Sequence, residues 1–223
     1  MRAQSGILAI WHDIAPDQRE AVLNWYDREH HFERLSVPGF RSMRRYVAVA
    51  GTPDLFICYE TDDVAVLSSP AYLARLNDPT PWTLRSQSNF LNNSRTVCHR
   101  QASGGHRGAG FAVPLRFLAS RDRAVPAEIA ARIAIAADGL DGVTGWEIWR
   151  ADTDRSSIAS REKEIRGTAD IHADTVIVTH AVDLATAEKA RAALENAVPE
   201  SLRSHCHHGT YQLSFFAEAD ETA

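Results

Sequence analysis

Cysteine is scarce in this 223-residue chain, with only Cys58, Cys98 and Cys206. An odd number this small excludes a disulfide framework and leaves at least one thiol unpaired. No apolar stretch approaches the roughly 20 residues of a membrane-spanning helix. The N-terminal MRAQSGILAIWHDI is interrupted by His12 and Asp13 before it takes on the layout of a secretory leader. A cytoplasmic protein with reduced thiols is therefore expected. Neither sign of charge dominates: 24 Lys and Arg stand against 29 Asp and Glu, a net charge of −5. That balance provides no footprint for nucleic acid or an anionic membrane. The GxGxxG, P-loop, GxSxG and CxxC patterns are missing too, so nucleotide cofactors and acyl-enzyme chemistry have no support.

What is present is an ordinary globular composition, 44% hydrophobic and 24% charged, able to bury a core. The length suits one large domain or two of about 100 residues each. One order of elements is written twice, on either side of RQASGGHRGAG. In the first half, GILAIWH reads as a strand apolar on both faces. A helix begins at Pro16 and is stopped by Val37-Pro38-Gly39-Phe40. RSMRRYVAVA and LFICYE are strands about the turn Gly51-Thr52-Pro53-Asp54. A helix capped at Ser69-Pro70 and a strand over 94–100 follow. In the second half, a strand over 111–119 precedes an alanine-rich helix over 126–138. Strands GWEIWRA and TVIVTHAV, a helix over 185–196 and the strand GTYQLSFF complete the repeat. The expected organisation is a first unit over 1–100, a linker over 101–110 and a second unit over 111–223.

Each half thus spells β-α-β-β-α-β, a ferredoxin-like unit whose antiparallel sheet carries helices on one face. The bare faces need cover, and each half can cover the other. The expected fold class is α+β, with two tandem ferredoxin-like units packed sheet to sheet as an intramolecular α/β barrel. In element order the chain resembles the dimeric α/β-barrel superfamily. In WYDREHHFERLSVPGF, RRY and PTPWT the first half resembles its EthD-like branch. The second half matches by element order alone, and fold order is no statement of activity.

The stretch NWYDREHHFERL places acids, arginines and two histidines among aromatics. On an ideal helix of about 100° per residue, His30, Glu29 and Glu33 fall within about 60° of Tyr26, with Trp25 and Phe32 extending that apolar face. His31 falls about 140° away, toward solvent. A histidine beside a carboxylate in a semi-apolar pocket suits proton transfer near neutral pH. The competing reading of His30 is a hydrogen-bonded core histidine. His12 shares a strand face with Leu8 and Ile10, and would look into the same pocket if that face meets the helices. Arg34, Arg41, Arg44 and Arg45 could hold a planar anion or form a solvated edge. Trp82 would close the pocket mouth or simply pack, and Tyr26 and Tyr46 would offer hydroxyls. His205, Cys206, His207 and His208 form the densest set of ligand types, but without a zinc-like spacing no metal is expected. The second half, lacking a histidine on its first helix, serves as scaffold, with Glu147 and His180 the polar exceptions on its strands.

The resemblance implies a cofactor-independent enzyme. His30 would be the general base or acid with His12, Tyr26 and Glu29 beside it, and Arg34, Arg45, Tyr46 and Trp82 would bind substrate. An isomerase, lyase or cyclase acting catabolically on a small aromatic or lactone-like molecule is the leading expectation. A cofactor-free monooxygenase or a haem- or small-ligand-binding protein is the alternative. A homodimer of the fused chain is left open; nucleic acid and membrane are not expected partners.

Overall fold

The computed structural model describes residues 5–119, 124–167 and 170–220. Eight strands close into one barrel: β1 (Gly6–Ile14), β2 (Phe40–Gly51), β3 (Leu55–Thr61), β4 (Phe90–Gly105), β5 (Phe111–Leu118), β6 (Val143–Ala151), β7 (Ala173–Ala181) and β8 (Cys206–Glu218). Their order around the barrel is β1-β3-β2-β8-β5-β7-β6-β4, and every pairing is antiparallel. The first four strands therefore lie in the order β4-β1-β3-β2, and the last four in the equivalent order β8-β5-β7-β6. The two sets are not merely stacked, as two sheets face to face would be. They hydrogen-bond edge to edge along the seams β2–β8 and β4–β6, which leaves no open sheet edge.

This closure explains why the strands are apolar on both sides. Ile7, Ala9 and Trp11 of β1 point into the barrel, where Trp11 stacks on Phe56 with centroids 4.5 Å apart. Leu8 of the same strand packs outward beneath the first-half helices. The glycine-rich stretch expected to be a linker over 101–110 is largely part of this architecture. Residues 101–105 continue β4 along β6, and only 106–110 connect. Glycine is required there by close approach: a Cβ on Gly145 would sit 2.5 Å from the Gly104 carbonyl oxygen, and one on Gly105 2.3 Å from that of Thr144. A seam glycine and a linker glycine look alike in a sequence.

Helices cover the outside. The first half carries α1 (Arg19–Trp25), α2 (His31–Leu35), α3 (Pro70–Asn77) and α4 (Pro81–Gln87). Ser69 caps α3 through its Oγ to the Tyr72 N–H at 3.2 Å, with Pro70 in the first turn as the sequence suggested. The second half carries α5 (Ala127–Ala134), α8 (Leu184–Ala197) and α9 (Glu200–Arg203). Between β6 and β7 lie two short helices that periodicity did not reveal, α6 (Thr153–Ser156) and α7 (Arg161–Arg166). They leave their own half: α7 packs against α3 and α4 of the first, and α6 against β4. Among the described residues, no helix is long and apolar enough to cross a membrane.

Candidate functional site

One turn decides which side chains enter the first-half core. Between α1 and α2 the helix widens to a π turn over Tyr26–His30. The extra residue turns everything after it by about 100°, moving His31 from about 140° to about 40° from Tyr26 and Phe32 outward. His31 accordingly is fully buried and stacks on Tyr26 at 4.7 Å, whereas Phe32 is 48% exposed. The expectation of a solvent-facing His31 and an inward Phe32 is thus corrected. The same rotation carries Arg34 inward, where it is 2% exposed.

Beneath this turn lies a cavity of about 30 Å³, room for about one water. Tyr26, His30, Arg34, Tyr59 and Tyr72 line it from the first half, and Glu162 and Arg166 of α7 close it from the second. His30 rests on Trp25, with ring centroids 4.2 Å apart. Its Nδ1 has no hydrogen-bond partner, and the Glu33 Oε2 lies 3.6 Å away, also unpartnered. Burial and the Arg34 charge pull its pKa well below the usual histidine value, so the ring is neutral.

His12 faces the helices, as its alternation with Leu8 allowed. Its Nδ1 lies 3.0 Å from the Asp13 carbonyl oxygen and its Nε2 2.9 Å from the Tyr26 hydroxyl. A carbonyl only accepts, so Nδ1 donates to it, and the neutral ring's Nε2 then accepts from Tyr26. Burial lowers the His12 pKa to about 4. Burial raises the Tyr26 phenol above its ordinary range. The second histidine–tyrosine pair, His31 Nδ1 with the Tyr59 hydroxyl at 2.8 Å, was not anticipated, because the π turn that brings His31 inward leaves no mark in the sequence.

Arg34 donates to Glu162 Oε1, and Gln87 donates to Glu162 Oε2 at 2.9 Å. Burial pushes the Glu162 carboxyl up, but the Arg34 charge and the hydrogen bonds from Gln87 and Arg34 outweigh it and hold the group below its ordinary pKa. Arg166 is held by Asp170 at 3.2 Å, leaving its Nε buried without a partner. Arg95 donates to the Tyr72 hydroxyl at 3.1 Å. The cavity is therefore walled by the neutral His30 imidazole, phenols and three guanidiniums, with Glu162 inserted among them.

His12 reaches the cavity only through Tyr26, and four further expected site residues stand elsewhere. Glu29 accepts from the Thr80 hydroxyl at 2.5 Å and so ties the π turn to the start of α4, away from the cavity. Tyr46 points into the barrel, because it lies on the opposite face of β2 from Arg45. Arg45 is on the helix side but is engaged by Asp27 at 2.6 Å, over the outer edge of Tyr26. Trp82 is half-buried packing on the first-half core and does not border the cavity. Among the described residues, no group of three His, Cys, Asp or Glu is placed to hold a metal; His208 pairs with Glu195 at 3.0 Å.

No family model matches the chain, and no curated protein sequence matches it either. Solved structures do. An anthrone oxidase-like protein aligns with TM-score 0.62 at 9% identity, over 99% of this chain and 95% of its own. A protein from Lactobacillus acidophilus assigned as a monooxygenase aligns with TM-score 0.53 at 7% identity, over 97% of both chains. A chlorite dismutase mutant from Candidatus Nitrospira defluvii aligns with TM-score 0.54 at 10% identity, over 96% of this chain and 92% of its own. At such identities the likeness defines the fold alone: a mixed α+β fold with a closed eight-stranded barrel.

Proposed function

We propose that this protein is a cofactor-independent enzyme in which His30 takes a proton from a small aromatic or lactone-like substrate bearing an acidic O–H or C–H. The observation that carries this reading is a neutral, buried imidazole with an unpartnered nitrogen, facing a cavity rimmed by arginines. A neutral imidazole accepts a proton, and guanidiniums nearby stabilise the phenolate or enolate left behind. Glu33 is within reach to orient the imidazolium once it forms. His12 holds the Tyr26 hydroxyl in place, and Arg34 meets the developing anion.

The proposal takes the chain as two ferredoxin-like units in tandem, the intramolecular counterpart of a dimeric barrel. The support is the shared strand order of the two halves. The EthD-like branch rests on the first-half motifs alone. The site-bearing first unit is completed by Glu162 and Arg166, so the second unit is more than scaffold. In this closed state the cavity admits no substrate, and entry requires α7 to withdraw Glu162 from Arg34. In the same closed state a tetrapyrrole does not fit beside His30 either. Isomerisation follows if the proton returns at another atom. Oxygenation follows if dioxygen captures the carbanion, a reading favoured by the neighbours named as anthrone oxidase-like and as monooxygenases.

The test is a panel of cyclic enolisable ketones and hydroxyaromatics, anthrone included, followed by NMR for deuterium wash-in and by oxygen uptake. The His30→Gln variant, shown by circular dichroism to be folded, is expected to lose about 10²- to 10⁴-fold in rate. Wash-in unchanged by that substitution would overturn the assignment of His30.

A further inference from the structure

A second polar cluster lies inside the barrel, across the sheet from His30, at the end where β1 begins. Glu147 is fully buried there. Its Oε2 accepts from Arg100 Nε at 2.6 Å and Trp149 Nε1 at 3.0 Å, and its Oε1 from His180 Nε2 at 3.0 Å. Arg100 also donates to Glu60 at 2.7 Å, and Arg107 reaches both Glu60 oxygens at 3.3 Å. Arg44 donates to the Arg107 carbonyl at 2.8 Å, and its other terminal nitrogen is 3.5 Å from Glu147.

Three guanidiniums here face two carboxylates. His180 adds no charge, because burial pulls its pKa down and its Nε2–H is already spent on Glu147. These buried groups therefore carry one surplus positive charge, and the exposed carboxylate of Glu218 also lines the cavity beside them. The cluster also has unused hydrogen-bonding groups: Arg100 Nη2, His180 Nδ1 and the Tyr46 hydroxyl are buried without partners. Buried polar atoms in native proteins are nearly always satisfied, so such a concentration sets this cluster apart, although none of these three residues lines the cavity beside it. This cavity measures about 500 Å³, within the usual size of a small-molecule site. Arg44 and Arg107 face it, and Leu213 and Phe216 form an apolar wall. Phe216 is 51% exposed, an aromatic left uncovered at the mouth.

We propose that this barrel end binds a small organic monoanion, a carboxylate on an aromatic or branched aliphatic body. Arg44 and Arg107 take the carboxylate, and Leu213 and Phe216 take the body. The one surplus charge of the buried groups matches a monoanion, whereas Glu60 and Glu218 beside it repel a dianion. The apolar wall has no use in binding an inorganic oxyanion. Arg44 and Arg45 lie on opposite faces of β2, so this site is separate from the His30 cavity and does not depend on the reaction proposed there.

Benzoate titrated into the full chain by calorimetry and NMR tests it, with benzyl alcohol and inorganic phosphate as comparison ligands. The expected result is saturable 1:1 benzoate binding, at least tenfold tighter than either comparison ligand. Arg107→Ala, a change at a half-exposed connector residue that leaves the fold intact, weakens benzoate at least tenfold. Arg44→Gln does the same, and His30→Gln leaves the affinity unchanged. Equal binding of benzyl alcohol or phosphate overturns the carboxylate assignment. Affinity unaffected by Arg107→Ala, or lost in His30→Gln, overturns the location.

Discussion

The two helix-covered faces of this barrel are built on the same strand order and filled with opposite materials. Beneath the second-half helices the packing is Ile133, Ala134, Ala137, Ala187, Ala190 and Leu194 against Val113, Leu115 and Ile177. Beneath the first-half helices, comparable space holds His12, Tyr26, His30, His31 and Arg34. Small residues let a helix sit close on a sheet and leave nothing to titrate. The first half keeps a polar layer, whose buried groups call for partners. Some of these come from outside its own sequence, through Glu162 and Arg166, while His30 Nδ1 is left without one. The difference shows that a repeated fold can keep one layer as packing and turn the other into chemistry, provided a segment from the packing half completes the polar one.

The largest expected effect comes from removing that borrowed segment's carboxylate. Glu162→Ala leaves Arg34 buried with its main counter-charge gone, and about 3–5 kcal/mol of stability is expected to be lost. Replacing both partners, as Arg34→Met with Glu162→Leu, should recover most of it, because an apolar pair of similar volume avoids the desolvation cost. Chemical denaturation of the three variants measures this. If Glu162→Ala costs less than about 1 kcal/mol, the first-half layer does not depend on the second half, and the contrast drawn above fails.

The fold was legible because alternating apolar faces, Pro-initiated helices and glycine stops recur in both halves at matching places. The site was legible only where an ideal helix predicts it. His12, Tyr26 and His30 point where strand alternation and helical phase place them. His31 and Phe32 do not, since a π turn has no composition signature and rotates everything after it. Glu162 and Arg166 were invisible for another reason: α7 is a six-residue helix without apolar periodicity, and its partner Arg34 lies 128 positions away in sequence. Tyr46 was misplaced because alternation establishes which residues share a face, and β2 is covered on both faces.

A second, smaller effect separates the halves by pH. The His12 pKa is about 4 in the folded protein, against about 6.5 in an unfolded chain. Between those values the unfolded state binds the extra proton, so stability is full above about pH 6.5 and is lost as the pH falls toward 4. The shift corresponds to about 3 kcal/mol at most. His30 and His31, also lowered by burial, act in the same direction. The purely apolar second-half layer contributes no such dependence. Stability followed against pH should therefore decline over this range, and His12→Gln should flatten part of the decline. An unaltered slope in that variant would mean that His12 titrates normally and is not held neutral.

The smallest effect concerns Glu29, which stands at the edge of the polar layer without entering the cavity. It accepts from Thr80 and, at 3.4 Å, from Thr83, whose hydroxyl also takes the Trp25 indole N–H at 3.2 Å. This small network pins the π turn to α4, and therefore holds Trp25 under His30. Glu29→Ala removes about one charge-assisted hydrogen bond at a half-exposed position, and a loss of about 1 kcal/mol is expected. Because Glu29 touches no cavity atom, proton-transfer rates should fall by no more than a few-fold, whereas His30→Gln removes most of the activity. Parallel denaturation and wash-in measurements on Glu29→Ala distinguish a tether from a participant: a large rate loss at unchanged stability would place Glu29 in the chemistry after all, and would mean that the π turn rearranges when substrate binds.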